Sequence, residues 1–77
     1  MLCKDWSGGL SATQRDRVVR HLLVDKRREE GIQADPPESM FPRMAADVDR
    51  YCGTAPETLV SAAVSTMFIF GKDTYRQ

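Results

Sequence analysis

The segment from Thr58 to Phe70 carries no charged side chain, and this feature constrains the fold of the whole chain. Its apolar residues recur at helical spacing, which predicts a helix. A chain of 77 residues has a small core, because small domains have a high ratio of surface to volume. We therefore expect one face of the helix to pack in the core and a second face to contact another protein. The alternative is a central helix that its own chain buries on every side.

Composition and length restrict the classes of protein to which the chain can belong. Eleven basic and eleven acidic residues give a net charge of zero, and 42 % of the residues are apolar. These values are typical of a small globular domain and not of a disordered chain or a nonspecific polyanion binder. The chain is too short for a TIM barrel or for a Rossmann domain with a substrate domain. The longest apolar run, residues 67–70, is too short to span a membrane, and no signal peptide is expected at residues 1–5.

The charge is distributed unevenly along the chain. Residues 12–28 contain six basic and two acidic side chains, whereas residues 29–57 contain two basic and seven acidic ones. Two interpretations remain open. The two faces attract each other within the domain, or the basic face borders a groove and steers an acidic partner towards it.

Capping signals predict an all-α fold in the form of a three-helix bundle. The helices are expected at residues 11–30, 39–52 and 54–70. Ser11 and Gln14 have the spacing of a capping box, and Gly31 is a typical residue at a helix end. Ser39 is the expected N-cap of the second helix, because Pro42 then falls in the first turn, where its missing N–H is tolerated.

The third helix has the clearest local start signal, a capping box formed by Thr54 and Glu57 with Pro56 in the first turn.

The domain organisation follows from these helices. We expect a flexible N-terminal segment at residues 1–10, a single domain at residues 11–71 and a tail at residues 72–77.

No residue pattern indicates an enzyme. His21 is the only histidine, and no neighbouring group would orient it as a general base. Cys52 falls on the apolar stripe of the second helix, where packing is the expected role. Cys3 lies near the N-terminus, so we expect no disulfide and a reducing, intracellular compartment. Two cysteines and one histidine do not make a metal site, and we expect neither a cofactor nor a small-molecule substrate.

The order of core and capping residues resembles that of KIX domains, the activator-binding modules of the Mediator tail subunit and of the CREB-binding protein. The likeness extends from Trp6 to Phe70, with helical core and cap spacings kept without a gap from Met44 to Ala63. The residues that carry it are Asp5, Trp6, Arg17, Val18, Val19, Leu22, Met44, Val48, Cys52, Thr54, Glu57, Leu59 and Ala63. The sequence departs from the KIX pattern at Thr58, where an aromatic residue is usual.

The resemblance implies a non-enzymatic protein-interaction module, a transcriptional coactivator domain of the nucleus. It binds amphipathic, acidic activation segments in a groove between the first and third helices. The expected groove residues are Val19, Leu22, Leu23, Val60, Val64, Met67 and Phe68. The expected electrostatic rim, which would meet acidic residues of the segment, is Arg20, Lys26 and Arg27.

Two other functions remain open. A small self-associating protein or a host-directed inhibitor would use the uncharged third helix as an interface, in the first case as the seam of a homodimer. A helix-turn-helix DNA binder is the weaker alternative, because residues 55–70 contain no Arg, Lys, Asn or Gln to read base edges. We expect no membrane partner.

Overall fold

In a computed structural model that describes residues 1–77, the chain forms five helices and no β-strand. The helices are α1 (Cys3–Gly9), α2 (Ala12–Glu29), α3 (Met40–Thr54), α4 (Val60–Phe70) and α5 (Lys72–Tyr75). The predicted all-α class is confirmed. The three predicted helices correspond to α2, α3 and α4, and two short helices at the chain ends add to them. None of the five helices combines the length and the hydropathy needed to cross a membrane.

The predicted limits of the first helix are confirmed by the ends of α2. The Ser11 hydroxyl accepts a hydrogen bond from the Gln14 N–H at 3.2 Å, and the Gln14 side chain accepts one from the Ser11 N–H at 2.8 Å. At the other end, Gly31 has a φ of 81°, a conformation that glycine adopts without steric cost. The Ile32 N–H then donates to the Arg27 carbonyl at 2.8 Å. This is the Schellman pattern, which satisfies the free carbonyls of the last turn.

The core lies where α2, α3 and α4 pack against one another and where α1 and α5 cover the ends. It consists of fourteen buried hydrophobic residues. They are Cys3, Trp6, Val19, Leu23, Met40, Phe41, Met44, Val48, Cys52, Val60, Ala63, Val64, Phe68 and Tyr75. Three of these lie outside the predicted domain of residues 11–71, so the chain ends contribute to the core.

The connection between α3 and α4 corrects the predicted start of the third helix. Thr54 ends α3 instead of capping the next helix, and α4 begins only at Val60. Residues 55–59 are not helical, and the backbone of Leu59 is extended. The local signal at Thr54 is overridden because carbonyl groups of this connection accept hydrogen bonds from the N-terminal segment of the chain.

The N-terminal segment, expected to be flexible over residues 1–10, instead forms α1 against this connection. The first N–H groups of a helix have no partner within the helix. In α1, the Cys3 N–H donates to the Thr58 carbonyl at 2.7 Å. In the reverse direction, the Val60 N–H at the start of α4 donates to the Met1 carbonyl at 2.8 Å. Each segment therefore satisfies unpaired backbone groups of the other.

A disulfide bond and a buried tryptophan hold α1 on α3. Cys3 is bonded to Cys52, which corrects the expectation of two free thiols. The expectation failed because nothing local shows that α1 folds back on the end of α3, across a sequence separation of 49 residues. The Trp6 side chain is fully buried, and its indole N–H donates to a carboxylate oxygen of Asp49 at 2.6 Å. The indole thereby finds the polar partner that a buried Trp needs.

Residues 72–77, expected to be a tail, form α5 and contribute Tyr75 to the core. The Tyr75 ring stacks on Phe68 with the ring centroids 6.4 Å apart, and its hydroxyl donates to Asp47. Burial, and then the Asp47 carboxylate, raise the pKa of Tyr75. Gly71 permits this packing, because a Cβ at that position would lie 2.9 Å from the ring.

We predict that losing the disulfide strongly destabilises the fold. The bond closes a loop that includes most of the chain, so replacing both Cys3 and Cys52 by Ser should lower the free energy of unfolding by about 3–4 kcal/mol. Urea denaturation followed by circular dichroism measures this change. A reducing agent should lower the midpoint of the natural sequence and leave the double variant unaffected. Equal midpoints for the natural sequence with and without reductant would contradict the prediction.

We also predict that the C-terminal helix is part of the stable fold. Tyr75→Ala removes a fully buried ring and should lower the free energy of unfolding by about 2–4 kcal/mol. Lys72→Ala, at an exposed position of the same helix, should change it by less than about 0.5 kcal/mol. If both substitutions have the same small effect in urea denaturation, α5 does not contribute to stability.

Candidate protein-interaction groove

A concavity of about 350 Å³ lies between α2 and α4, the helices that correspond to the first and third predicted ones. We call it the α2–α4 groove. Its lining consists of Met1, Arg17, Val18, His21, Leu22, Val60 and Ser61. Val18 and Leu22 are partly buried and pack against the core, so they connect the groove to the rigid interior. The groove is therefore mainly apolar, with basic and polar side chains among its lining residues.

Helix geometry explains how α2 supplies both an apolar and a basic row. Residues four apart lie above one another on one side of a helix. Val18 and Leu22 form one such pair, and Arg17 and His21 form the next one round the helix. The same four residues are predicted from sequence to lie on α2, but only the packing of α4 beside them shows that they border a concavity.

Met1 and the start of α4 form the other wall. The Met1 carbonyl accepts the N–H of Val60, which fixes the first residue of the chain against the first turn of α4. The Met1 side chain stays half-exposed at 51 %, so its thioether is available to a bound molecule. A flexible, polarisable side chain of this kind adapts to different apolar partners.

The electrostatic character of the groove is basic. No acidic residue lines it, and Arg17 is exposed and makes no salt bridge. His21 is exposed and lies 3.2 Å from the Asp25 carboxylate. A second, open depression on the adjoining surface of α2 is lined by Arg17, Arg20, His21, Val24, Asp25 and Arg28, so basic residues lie there beside one carboxylate. An acidic ligand would thus meet positive charge along one side of the groove.

The structure places most of the predicted groove residues in the core. Val19, Leu23, Val60, Val64 and Phe68 are each no more than 1 % exposed, and Leu22 and Met67 are partly buried. Only Leu22 and Val60 line the α2–α4 groove. The sequence pattern identified the apolar stripes of both helices correctly, but a stripe does not separate residues that face the core from those at its edge. Met1, Arg17, Val18, His21 and Ser61 are the lining residues that were missed. The i, i+4 spacing of α2 was the available signal for three of these five, namely Arg17, Val18 and His21.

The predicted rim is largely occupied by intramolecular contacts. Arg20 donates to Glu38 at 2.8 Å and to Asp16 at 2.7 Å, and its guanidinium lies 4.3 Å from the Phe41 ring centroid. The hydrogen bonds to Glu38 and then Asp16 raise the pKa of Arg20. The Lys26 ammonium lies 5.9 Å from the ring centroid of Phe68 and 3.8 Å from a Glu29 carboxylate oxygen. The contacts to Glu38, Phe41 and Phe68 join α2 to the rest of the domain, whereas Asp16 and Glu29 lie on α2 itself.

Arg27 corrects the rim prediction most clearly, because it is only 1 % exposed. Its guanidinium donates to the Tyr75 carbonyl at 2.7 Å and to the Ala34 carbonyl at 3.0 Å. Burial lowers the pKa of Arg27, and the nearby Asp35 carboxylate opposes this shift. Arg27 therefore holds the C-terminal helix and the α2–α3 loop against α2, and it is not available to a partner.

The histidine and both cysteines have identified side-chain partners. The His21 imidazole lies 3.2 Å from the Asp25 carboxylate, and both cysteines are held in the disulfide. No three His, Cys, Asp or Glu side chains lie close enough together to bind one metal ion.

Comparison of the chain with protein-family models, with curated proteins and with solved structures gives no match. The KIX resemblance remains a prediction from the sequence.

We predict opposite roles for two phenylalanines of α4. Phe68 is 1 % exposed and Phe70 is 80 % exposed. Phe68→Ala should lower the free energy of unfolding by about 3–4 kcal/mol, whereas Phe70→Ala should change it by less than about 0.5 kcal/mol. Urea denaturation of the two variants measures the difference. Equal free energies of unfolding for the two variants would contradict the assignment of Phe68 to the core.

Proposed function

We propose that the protein is a non-enzymatic interaction module that binds an acidic, amphipathic helical segment of another protein in the α2–α4 groove. The observation that carries the proposal is the combination of an apolar lining with unpaired positive charge at one edge, without any acidic residue in the lining. An amphipathic helix presents apolar anchors at i and i+4 and carries its charges on the flanks. Its acidic flank would lie beside Arg17.

The size of the groove favours anchoring by a few side chains. A volume of about 350 Å³ lies at the lower end of ligand pockets, which span roughly 300–1,000 Å³. Val18, Leu22 and Val60 would contact the apolar anchors, and the half-exposed Met1 would close over them. The positive charge of α2 would mainly raise the association rate, because it lies at the solvent-exposed edge.

A KIX-like transcriptional coactivator that binds activation segments is the narrower form of this proposal. It is supported by the resemblance in sequence and by the position of the groove between the first and third predicted helices. The Cys3–Cys52 disulfide weighs against a nuclear site of action, because disulfides persist mainly in oxidising compartments.

The proposal is tested with a fluorescently labelled peptide that carries Leu at i and i+4 and Glu on both flanks. Arg17→Glu should weaken its binding roughly five- to tenfold, since the variant places a negative charge beside the acidic flank. Arg43→Glu makes the same change of charge at an exposed arginine of α3 outside the groove. This control should bind the peptide almost as the natural sequence does. Fluorescence anisotropy gives both dissociation constants.

An NMR shift map with the same peptide locates the binding site. We expect changes at the groove residues of α2 and α4 and at Met1. Peptide-induced shifts confined to α3 or α5, or equal losses of affinity in the two arginine variants, would overturn the proposed function.

A further inference from the structure

The exposed large apolar side chains of this protein are concentrated around one helix. There are four of them, and their exposed fractions are 51 % for Met1, 50 % for Leu59, 61 % for Ile69 and 80 % for Phe70. Ile69 and Phe70 belong to α4, and Leu59 is its N-cap residue. Met1 is hydrogen-bonded to the first residue of α4. Single exposed apolar residues are ordinary, whereas contiguous apolar patches mark interaction surfaces.

These side chains form two clusters at opposite ends of α4. Met1 and Leu59 lie at its N-terminal end, and Ile69 and Phe70 lie in its last turn. With a rise of about 1.5 Å per residue, the clusters are roughly 15 Å apart along the helix axis. Between them the outward side of α4 presents small residues, with Ala62 exposed and Ser65 and Thr66 partly exposed. No charged side chain lies anywhere on α4.

We propose that this outward face of α4 binds the same face of a second copy of the chain, with the two helices antiparallel. A twofold interface must be complementary to itself. The antiparallel arrangement places Ile69 and Phe70 of one copy over Leu59 of the other, and the small residues allow the helices to approach at the centre. An uncharged face meets its own copy without repulsion between like charges.

The charge distribution favours this face over α2 as the seam. If α2 of one copy packed against α2 of another, the unpaired, exposed Arg17 and Arg28 of each copy would meet the positive charges of the other. The exposed surface of α4 has no such charge to desolvate, as is typical of the centre of an interface.

The area available predicts a dissociable dimer. A standard interface buries about 800 Å² on each partner, which is about a sixth of the 4684 Å² surface of this chain. The eleven residues of α4 form a helix only about 16 Å long, so the seam is smaller than standard. We therefore expect dissociation in the micromolar range or weaker.

The test is sedimentation velocity of the full chain over concentrations from about 1 μM to about 1 mM. The sedimentation coefficient of the natural sequence should rise with concentration to that of a dimer. Phe70→Asp and Ala62→Asp should each abolish the rise, because each places a charge in the seam. Ala46→Asp adds the same charge at an exposed alanine of α3 and should leave the dimer intact. Circular dichroism checks that all three variants are folded.

Mixed labelling identifies the orientation. In a mixture of isotope-labelled and unlabelled chains, isotope-filtered NOEs should connect the Phe70 ring of one copy to the Leu59 methyl groups of the other. A monomer at every concentration, or a dimer that persists in both Phe70→Asp and Ala62→Asp, would overturn the inference. Phe70→Asp should still bind the acidic peptide, because Phe70 is outside the α2–α4 groove. Failure of the dimer and failure of the groove are thereby distinguishable.

Discussion

The attachment of the N-terminal segment to α3 and to the α3–α4 connection is the constraint on which the rest of the structure depends. The Cys3–Cys52 bond and the Trp6 indole fix α1 on α3. The backbone hydrogen bonds between α1 and residues 56–58 then supply partners for the first N–H groups of α1 and keep the connection out of the helix. Because the same attachment places Met1 against the start of α4, it also forms one wall of the candidate groove.

Charge has two different uses along α2. Some of its basic side chains stabilise the fold. Arg20 pairs with the carboxylates of Asp16 and Glu38, and the buried Arg27 donates to the carbonyls of Tyr75 and Ala34. The exposed ion pairs of Arg20 contribute little stability individually, so their effect is chiefly to orient that side chain. On the side towards α4, Arg17 has no ion pair and remains available to a ligand. The Arg20–Glu38 pair represents the first interpretation of the uneven charge, attraction within the domain, whereas steering of an acidic partner stays a prediction.

The uncharged helix α4 also has two faces with different environments. Val60, Ala63, Val64 and Phe68 are buried, while Ile69 and Phe70 face solvent. The expectation that the helix packs in the core on one side and leaves apolar surface on another describes this arrangement. The exposed phenylalanine is not the predicted one. Phe68 and Phe70 are two positions apart and therefore point to different sides of the helix, so Phe68 is buried and Phe70 is exposed. The groove, with Met1 in its wall, and the outward face, with Leu59 and Phe70, are separate surfaces.

The sequence by itself determined the all-α class, both ends of α2, the apolar stripes of α3 and α4, and the uncharged character of α4. These features depend on periodicity and on local caps such as Ser11 and Gly31, whose partners lie within a few residues. Only the tertiary structure decided that Cys3 meets Cys52, that Thr54 ends a helix, that Tyr75 enters the core and that Arg27 is buried. Each of these depends on a partner far away in the chain, and a local pattern contains no information about which distant group will satisfy a backbone carbonyl, a thiol or a guanidinium.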